Sequence, residues 1–307
     1  VFNGLKPDTE YTVSIVTFNN FGEGPVCERT IDTLEAFPTE SSSEVTADGE
    51  KTGDSSGVEP YRLFIASNTE VGWRNPDSLS FEEIIYHLTD YSENHEITGM
   101  AIHVRKKYLF VSDSSGTIRR VLIKENSQEI NQVVRIINGS NNPSHLSMDW
   151  LNDKLYMVED NRISRCNLDG EFIESVVTGF RVRPHDMKVD PYNGYLFWLL
   201  SDGSSNPGLY RVDLAELGAS KINYASAQLI YQSKGITTFA VNYFDYRIYF
   251  PVNSRVYSIT IDGKDAEEIR NESNSNTPEA LIDIENMIIF DRRLYFTNGS
   301  LIYSEEY

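Results

Sequence analysis

The sequence predicts an all-β protein, most of it a six-bladed β-propeller, and three observations carry that reading. Eighteen Tyr and fifteen Phe against five His favour pleated surfaces, where aromatic side chains pack well. Helical periodicity is nearly absent: the best stretch, Ser80 to Leu88, is short and rich in β-branched and aromatic residues. From Tyr61 onward a motif recurs six times, beginning at residues 63, 109, 155, 196, 248 and 294. Periods of roughly 40 to 50 residues holding several short strands each are the mark of propeller blades.

Taken in chain order, residues 1–35 differ from the rest. Alternating Tyr11, Val13 and Ile15 predict a half-buried strand, and Asn19-Asn20-Phe21-Gly22-Glu23-Gly24-Pro25 predicts a turn. The spacing Leu5-x-Pro7-x-Thr9-x-Tyr11 followed by that turn resembles the end of a fibronectin type III domain. The resemblance makes Tyr11 the tyrosine-corner residue and residues 1–35 the last strands of a sandwich that needs about 100 residues. Residues 36–60 read as a flexible linker, with Ser41-Ser42-Ser43, Ser55-Ser56-Gly57 and many acids but one lysine.

Residues 61–307 hold the repeats. The copies are Leu63-Phe-Ile-Ala-Ser-Asn68, Leu109-Phe-Val-Ser-Asp113, Leu155-Tyr-Met-Val-Glu-Asp160, Leu196-Phe-Trp-Leu-Leu-Ser-Asp202, Ile248-Tyr-Phe-Pro-Val-Asn253 and Leu294-Tyr-Phe-Thr-Asn298. An alternating strand precedes most of them, as in Met100 to Val104, Leu146 to Trp150 and Met187 to Asp190. A turn and a further strand follow, as in Ile118 to Arg120, Ile163 to Gly170, Leu209 to Arg211 and Val256 to Gly263. The Asp-Gly pairs mark tight turns that need positive φ. Val133 to Ile137 and Gln228 to Tyr231 supply fourth strands.

Leu294-Tyr-Phe-Thr-Asn298 and Ile163-Ser-Arg-Cys-Asn-Leu-Asp-Gly170 are similar to the two halves of the YWTD propeller signature, aliphatic-Tyr-Trp-Thr-Asp and Ile-x-Arg-x-x-Leu-Asp-Gly. No copy is exact, since Phe or Met mostly replaces Trp and Asn replaces Asp in three. The resemblance implies that the Asp or Asn bonds backbone of a neighbouring blade. No cysteine-rich module of the lipoprotein-receptor or nidogen kind follows the repeats. A fibronectin type III segment running into such a propeller resembles the ectodomain of the Sevenless/Ros receptor tyrosine kinases. That implies an extracellular part of a plasma-membrane protein, a protein ligand that another cell can present, and neighbouring fibronectin or propeller domains of the same receptor as partners. It places the tyrosine kinase outside this chain. The alternatives are a lipoprotein-receptor-like or matrix-adhesion propeller, a spacer between domains, and a propeller enzyme.

Composition excludes other classes. With 46 acidic against 27 basic side chains and a charge of −19, nucleic acid is not an expected partner, because binding it means neutralising phosphates with clustered Lys and Arg. The longest apolar run, Tyr195 to Leu200, is far short of the roughly 20 residues of a membrane helix. The five histidines show no metal-ligand spacing, and no nucleophile elbow, phosphate loop or dinucleotide fingerprint occurs. No catalytic, metal or cofactor site is therefore expected. Ser112-Asp113-Ser-Ser-Gly116-Thr117 falls short of a sialidase box and reads as a polar hairpin. Asp262 to Glu268 lacks the alternating ligands of a calcium loop and reads as a solvated acidic loop.

Three sequons, at Asn138, Asn271 and Asn298, are candidate glycosylation sites, with Asn298 ranked last because it occupies the repeat's Asp/Asn position. Cys166 is expected to be a buried free thiol. For Cys27 a disulfide to chain outside the sequence and a free thiol are both open. His145 follows Pro143-Ser144 and His185 follows Pro184, each just before the first strand of consecutive blades, so both are expected on one rim beside Arg181 and Arg183. A histidine there makes a pH-responsive interface a possibility, since its unperturbed charge change falls between pH 5 and 8. Strand counting gives a last expectation. The sixth repeat lacks a fourth strand, and the linker before Pro60 offers no first strand for the first. Roughly 30 further residues are expected to close the ring, without which a seam opens between the Leu63 and Leu294 blades.

Overall fold

A computed structural model describes strand segments 10–15, 18–19, 22–23, 27–32 and 46–48, then residues 62–88, 95–124, 132–138, 142–201, 203–217, 221–243, 245–253, 255–269, 284–290, 292–298 and 301–306. The chain forms two compact units, Val1–Phe37 and Pro38–Tyr307. In the first, Glu10–Ile15 pairs antiparallel with Cys27–Asp32, Tyr11 opposite Ile31. Phe18–Asn19 and Gly22–Glu23 form the short ladder at the Asn/Gly turn. The proposed corner role of Tyr11 concerns a side chain outside those described.

The second unit is a succession of antiparallel meanders. The second sheet runs 97–103, 108–113, 118–122, 132–137, and the third runs 144–149, 154–159, 162–167, 174–178, with Ile222–Asn223 added in parallel to its outer strand. The fourth runs 186–190, 195–200, 208–213, 228–232, and the fifth 240–242, 247–252, 255–260, 267–268. The sixth has three described strands, 286–290, 293–298 and 301–306. First strands of consecutive sheets from the second to the sixth touch one another, which gives the radial arrangement of a propeller. Ser80 to Leu88 is not helical: Phe81–His87 is the outer strand of the first sheet. Its β-branched and aromatic content outweighs the weak helical period.

The linker expectation is corrected. Thr46–Asp48 pairs antiparallel with Arg62–Phe64 and takes the place that the first strand has in the other sheets. Its polar composition hid it, because a three-residue strand can be held by ladder hydrogen bonds without an apolar pattern. At the junction where a seam was expected, the first and sixth described sheets are in contact. Leu63 of the first sheet packs with Ile288 and Tyr295 of the sixth, all at 2% exposure or less, and Arg293 meets Asp77 across the same junction at 3.1 Å.

Packing between sheets explains the repeat. Leu63-Phe64, Leu109-Phe110, Leu155-Tyr156 and Leu196-Phe197 are all fully buried. Successive strand residues point to opposite faces, and both faces are covered, so the second strand reads as a continuous apolar run. Asp113 acts differently from its expected role. It accepts hydrogen bonds from the backbone N–H of Ser115 (2.9 Å) and Thr117 (3.2 Å) and pairs with Arg119, all in its own sheet. Motif arginines tie sheets to their neighbours. Arg120 Nη1 donates to Leu168 O of the next sheet at 2.9 Å, and Arg211 Nη1 donates to Ile261 O at 2.8 Å. Each guanidinium lies over the ring of a tyrosine on the preceding strand, Tyr108 or Tyr195.

Candidate functional site

The first strands of the third and fourth sheets each begin behind a proline, and the loops leading into them border an open depression of about 440 Å³. Its lining is Thr98, Asn142, Ser144, His145, Arg183, Pro184 and His185. Three of the four rim residues singled out in the sequence thus meet in one site. Arg181 does not: it is exposed and outside the lining.

Backbone geometry sets the shape. His145 has φ 45°, a left-handed conformation that few non-glycine residues adopt. It lies against Gly99, where a Cβ would stand 2.7 Å from the His145 N. A glycine is needed for the two first strands to approach so closely. Arg183 spans the loops: Nη2 donates to Asn142 O (2.5 Å) and Ser144 Oγ (2.6 Å), and Nη1 reaches Asp160 Oδ1 at 3.5 Å. Burial lowers the Arg183 pKa, with Asp160 pulling the other way. His185 Nε2 donates to Ile236 O at 3.2 Å, while its Nδ1 is buried without a partner among the described residues.

Next to the cavity lies a buried ion pair, Lys188 Nζ to Asp186 Oδ1 at 3.0 Å. Asp186 also accepts from Thr238 Oγ1, Phe239 N and Met187 N, which satisfies a charge that would otherwise be costly to bury. Burial pushes the His145 imidazole down to about 4. Asp186 opposes this, and Lys188, His185 and Arg183 add to it. Burial therefore favours the neutral imidazole of His145.

At the far ends of first strands of three consecutive sheets lies an aromatic cluster that the sequence reading missed. Trp150, Tyr192 and Tyr243, from three consecutive sheets, pack with centroids 5.6 to 5.8 Å apart. Each sits within a capped turn: Asp149 accepts from Asn152 N, Asp190 from Asn193 N and Asn242 from Asp245 N. The recurring Asp149-x-x-Asn152, Asp190-x-x-Asn193 and Asn242-x-x-Asp245 spacing was the available signal.

Of the sequons, Asn138 is exposed, Asn298 is half-buried in the last hairpin opposite Leu301, and Asn271 lies outside the described residues. Cys166 is a buried free thiol whose pKa burial pushes up to about 12. The Cys27 side chain lies outside those described. Asp113 to Thr117 is a capped hairpin, and in the acidic loop Asp262 pairs with Lys264. No cluster of metal-ligating side chains occurs among the described residues.

No family model matches the chain. Over 99% of its length it is 24% identical to the proto-oncogene tyrosine-protein kinase ROS of Gallus gallus and 27% identical to that of Homo sapiens, spanning 12% of each relative. Over 70% of its length it is 25% identical to protein sevenless of Drosophila virilis, spanning 8% of that protein. The chain is homologous to the ROS and sevenless receptor tyrosine kinases. The matched stretch of these cell-surface receptors is extracellular, and no helix among the described residues is long and apolar enough to cross a membrane. A chain of a nidogen/laminin complex superimposes with TM-score 0.63 and 13% identity, covering 80% of this chain and 89% of that one. A glucose dehydrogenase superimposes with TM-score 0.54 and 10% identity, covering 84% and 94%. The fold of this ROS/sevenless-like stretch is that of a β-propeller.

Proposed function

We propose that this chain is a ligand-recognition segment of a receptor of the ROS and sevenless kind, without catalytic activity of its own, and that the His145/Arg183/His185 mouth is its binding face. The observation that carries the reading is the cavity itself: loops from consecutive sheets converge there on side chains held in place by backbone contacts, the usual way a rigid scaffold presents a recognition surface. The proposal includes six blades, supported by six repeat copies that each contribute one sheet. It also includes a fibronectin type III tail in residues 1–35, supported by the Glu10–Ile15/Cys27–Asp32 pair and the tyrosine-corner spacing, and a propeller that takes in the Thr46–Asp48 strand as well as the repeats from residue 61. Glycan on Asn138 and Asn271 belongs to the same reading.

A binding screen of the full chain against an array of extracellular proteins tests it. Captured partners are expected to lose at least tenfold in affinity with His145→Glu or Arg183→Glu and to be unaffected by Tyr192→Glu at the opposite end. An array that yields no partner, or a partner sensitive only to Tyr192, would overturn this face as the recognition surface.

A further inference from the structure

Arg183 is the charged centre of the cavity, and its hydrogen bonding is incomplete in a specific way. Both Nη2 protons are used by Asn142 O and Ser144 Oγ, which fixes the plane of the fork. Nη1 has one long contact, 3.5 Å to an Asp160 whose side chain is 68% exposed. Among the described residues no acceptor meets Nε–H. The Ser144 hydroxyl accepts from Arg183 and donates to no described group, so it adds a second donor. The chain carries a formal charge of −19, yet among the described residues no carboxylate lines this cavity. The nearest buried one, Asp186, is taken up by Lys188, Thr238 and backbone. A guanidinium at 31% side-chain exposure, pre-oriented and short of acceptors, presents a planar pair of donors that matches a carboxylate.

We propose that Arg183 is the anchor for an acidic side chain, Asp or Glu, that a protein ligand inserts into the cavity. The proposal rests on the recognition reading above and names its chemistry. A single cation disfavours a phosphate headgroup or a densely sulfated glycan, which carry more than one negative charge, and the planar pair of donors fits a carboxylate. The lining offers one permanent cation, since burial favours the neutral form of His145, and a single positive charge balances a monoanion. Asn142 and Thr98 add polar surface around the anchor, which suits a short side chain entering with part of its backbone.

The test is a titration of the ¹⁵N-labelled full chain, following the Arg183 Nε–H resonance and the His145 and His185 ring signals by NMR. The probes are N-acetyl-aspartate N-methylamide, its neutral asparagine counterpart, and inorganic sulfate. The aspartate probe is expected to shift these signals saturably and to bind at least tenfold more tightly than the asparagine probe. Arg183→Gln is expected to abolish the shifts of the histidine rings, Arg183→Lys to recover only a small part of the affinity, and exposed Arg181→Gln to change it less than twofold. Unchanged binding in Arg183→Gln, equal binding of the two amino-acid probes, or sulfate binding tenfold more tightly than aspartate would each overturn the proposal. A protein partner captured through this face with no aspartate response would sink the anchor and leave the recognition reading standing.

Discussion

His145 shows how a single residue is decided by its surroundings. The sequence places it on the rim, and the backbone then turns it into a site where a charge is poorly tolerated. Its folded pKa of about 4 lies below the roughly 6.5 of an exposed imidazole. Between those values the unfolded chain binds more protons than the folded one, so stability is full above about pH 6.5 and falls as the pH drops toward 4. The expected loss between pH 7 and pH 5 is roughly 1–2 kcal/mol after discounting for partial solvation. Chemical denaturation across that range should show it, and His145→Asn, a neutral side chain that tolerates positive φ, should flatten this part of the slope. An unchanged slope in the variant would mean that the imidazole titrates freely when folded. The motif acid Asp113 teaches a similar lesson. Burial raises its pKa, but donors from Ser115, Arg119 and Thr117 outweigh that and hold it below the usual range. Its identity was legible, whereas its partners depended on the hairpin that follows it.

Among the elements, the Asp-Gly turns do more than reverse the chain. Gly170 has φ 83°, and a Cβ there would stand 2.2 Å from Ile136 O on the outer strand of the preceding sheet. Gly263 has φ 82° and approaches Ile230 of its preceding sheet in the same way. Arg120 and Arg211 donate to carbonyls just before these glycines, so turn and arginine together form the contact between sheets. Gly194 serves as an internal comparison, with φ 70° and nothing within 4 Å of its would-be Cβ. Gly194→Ala should cost only backbone strain, about 1–2 kcal/mol. Gly170→Ala adds a clash with backbone and should cost roughly 2–4 kcal/mol. Urea denaturation of the two variants measures the difference, and equal losses would show that the Gly170 approach is not tight in solution. The Asp-Gly pair announces the turn in the sequence, while the strand it presses against lies more than 30 residues away and carries no local mark.

For the whole molecule, the boundary between polar linker and folded sheet is the point where composition misleads. Thr46–Asp48 completes the first sheet against Arg62–Phe64, within the unit that begins at Pro38. A chain starting at Pro38 should therefore keep the thermal transition of the larger unit, and a chain starting at Tyr61 should melt lower, by about 2–4 °C for each kcal/mol lost. Identical transitions for both would show that this strand adds nothing to the propeller. The junction of the first and sixth sheets has the same character. Leu63, Ile288 and Tyr295 look like ordinary core positions in the sequence, and their meeting requires the succession of sheets to curve back on itself.

The sequence alone determined the all-β class, the period of the repeat, the order of strands within most sheets and the rim on which His145, Arg183 and His185 meet. Those features follow from residue spacing, because alternation and repeat length fix which side chains share a face and which strand ends share a side. Only the tertiary structure decided which donors the Asp113 carboxylate faces, that burial lowers the His145 pKa, that Thr46–Asp48 is a strand, and that Trp150, Tyr192 and Tyr243 pack together. Each of these depends on groups brought together from distant positions, so its energy depends on packing and desolvation, and no local pattern of residues records them.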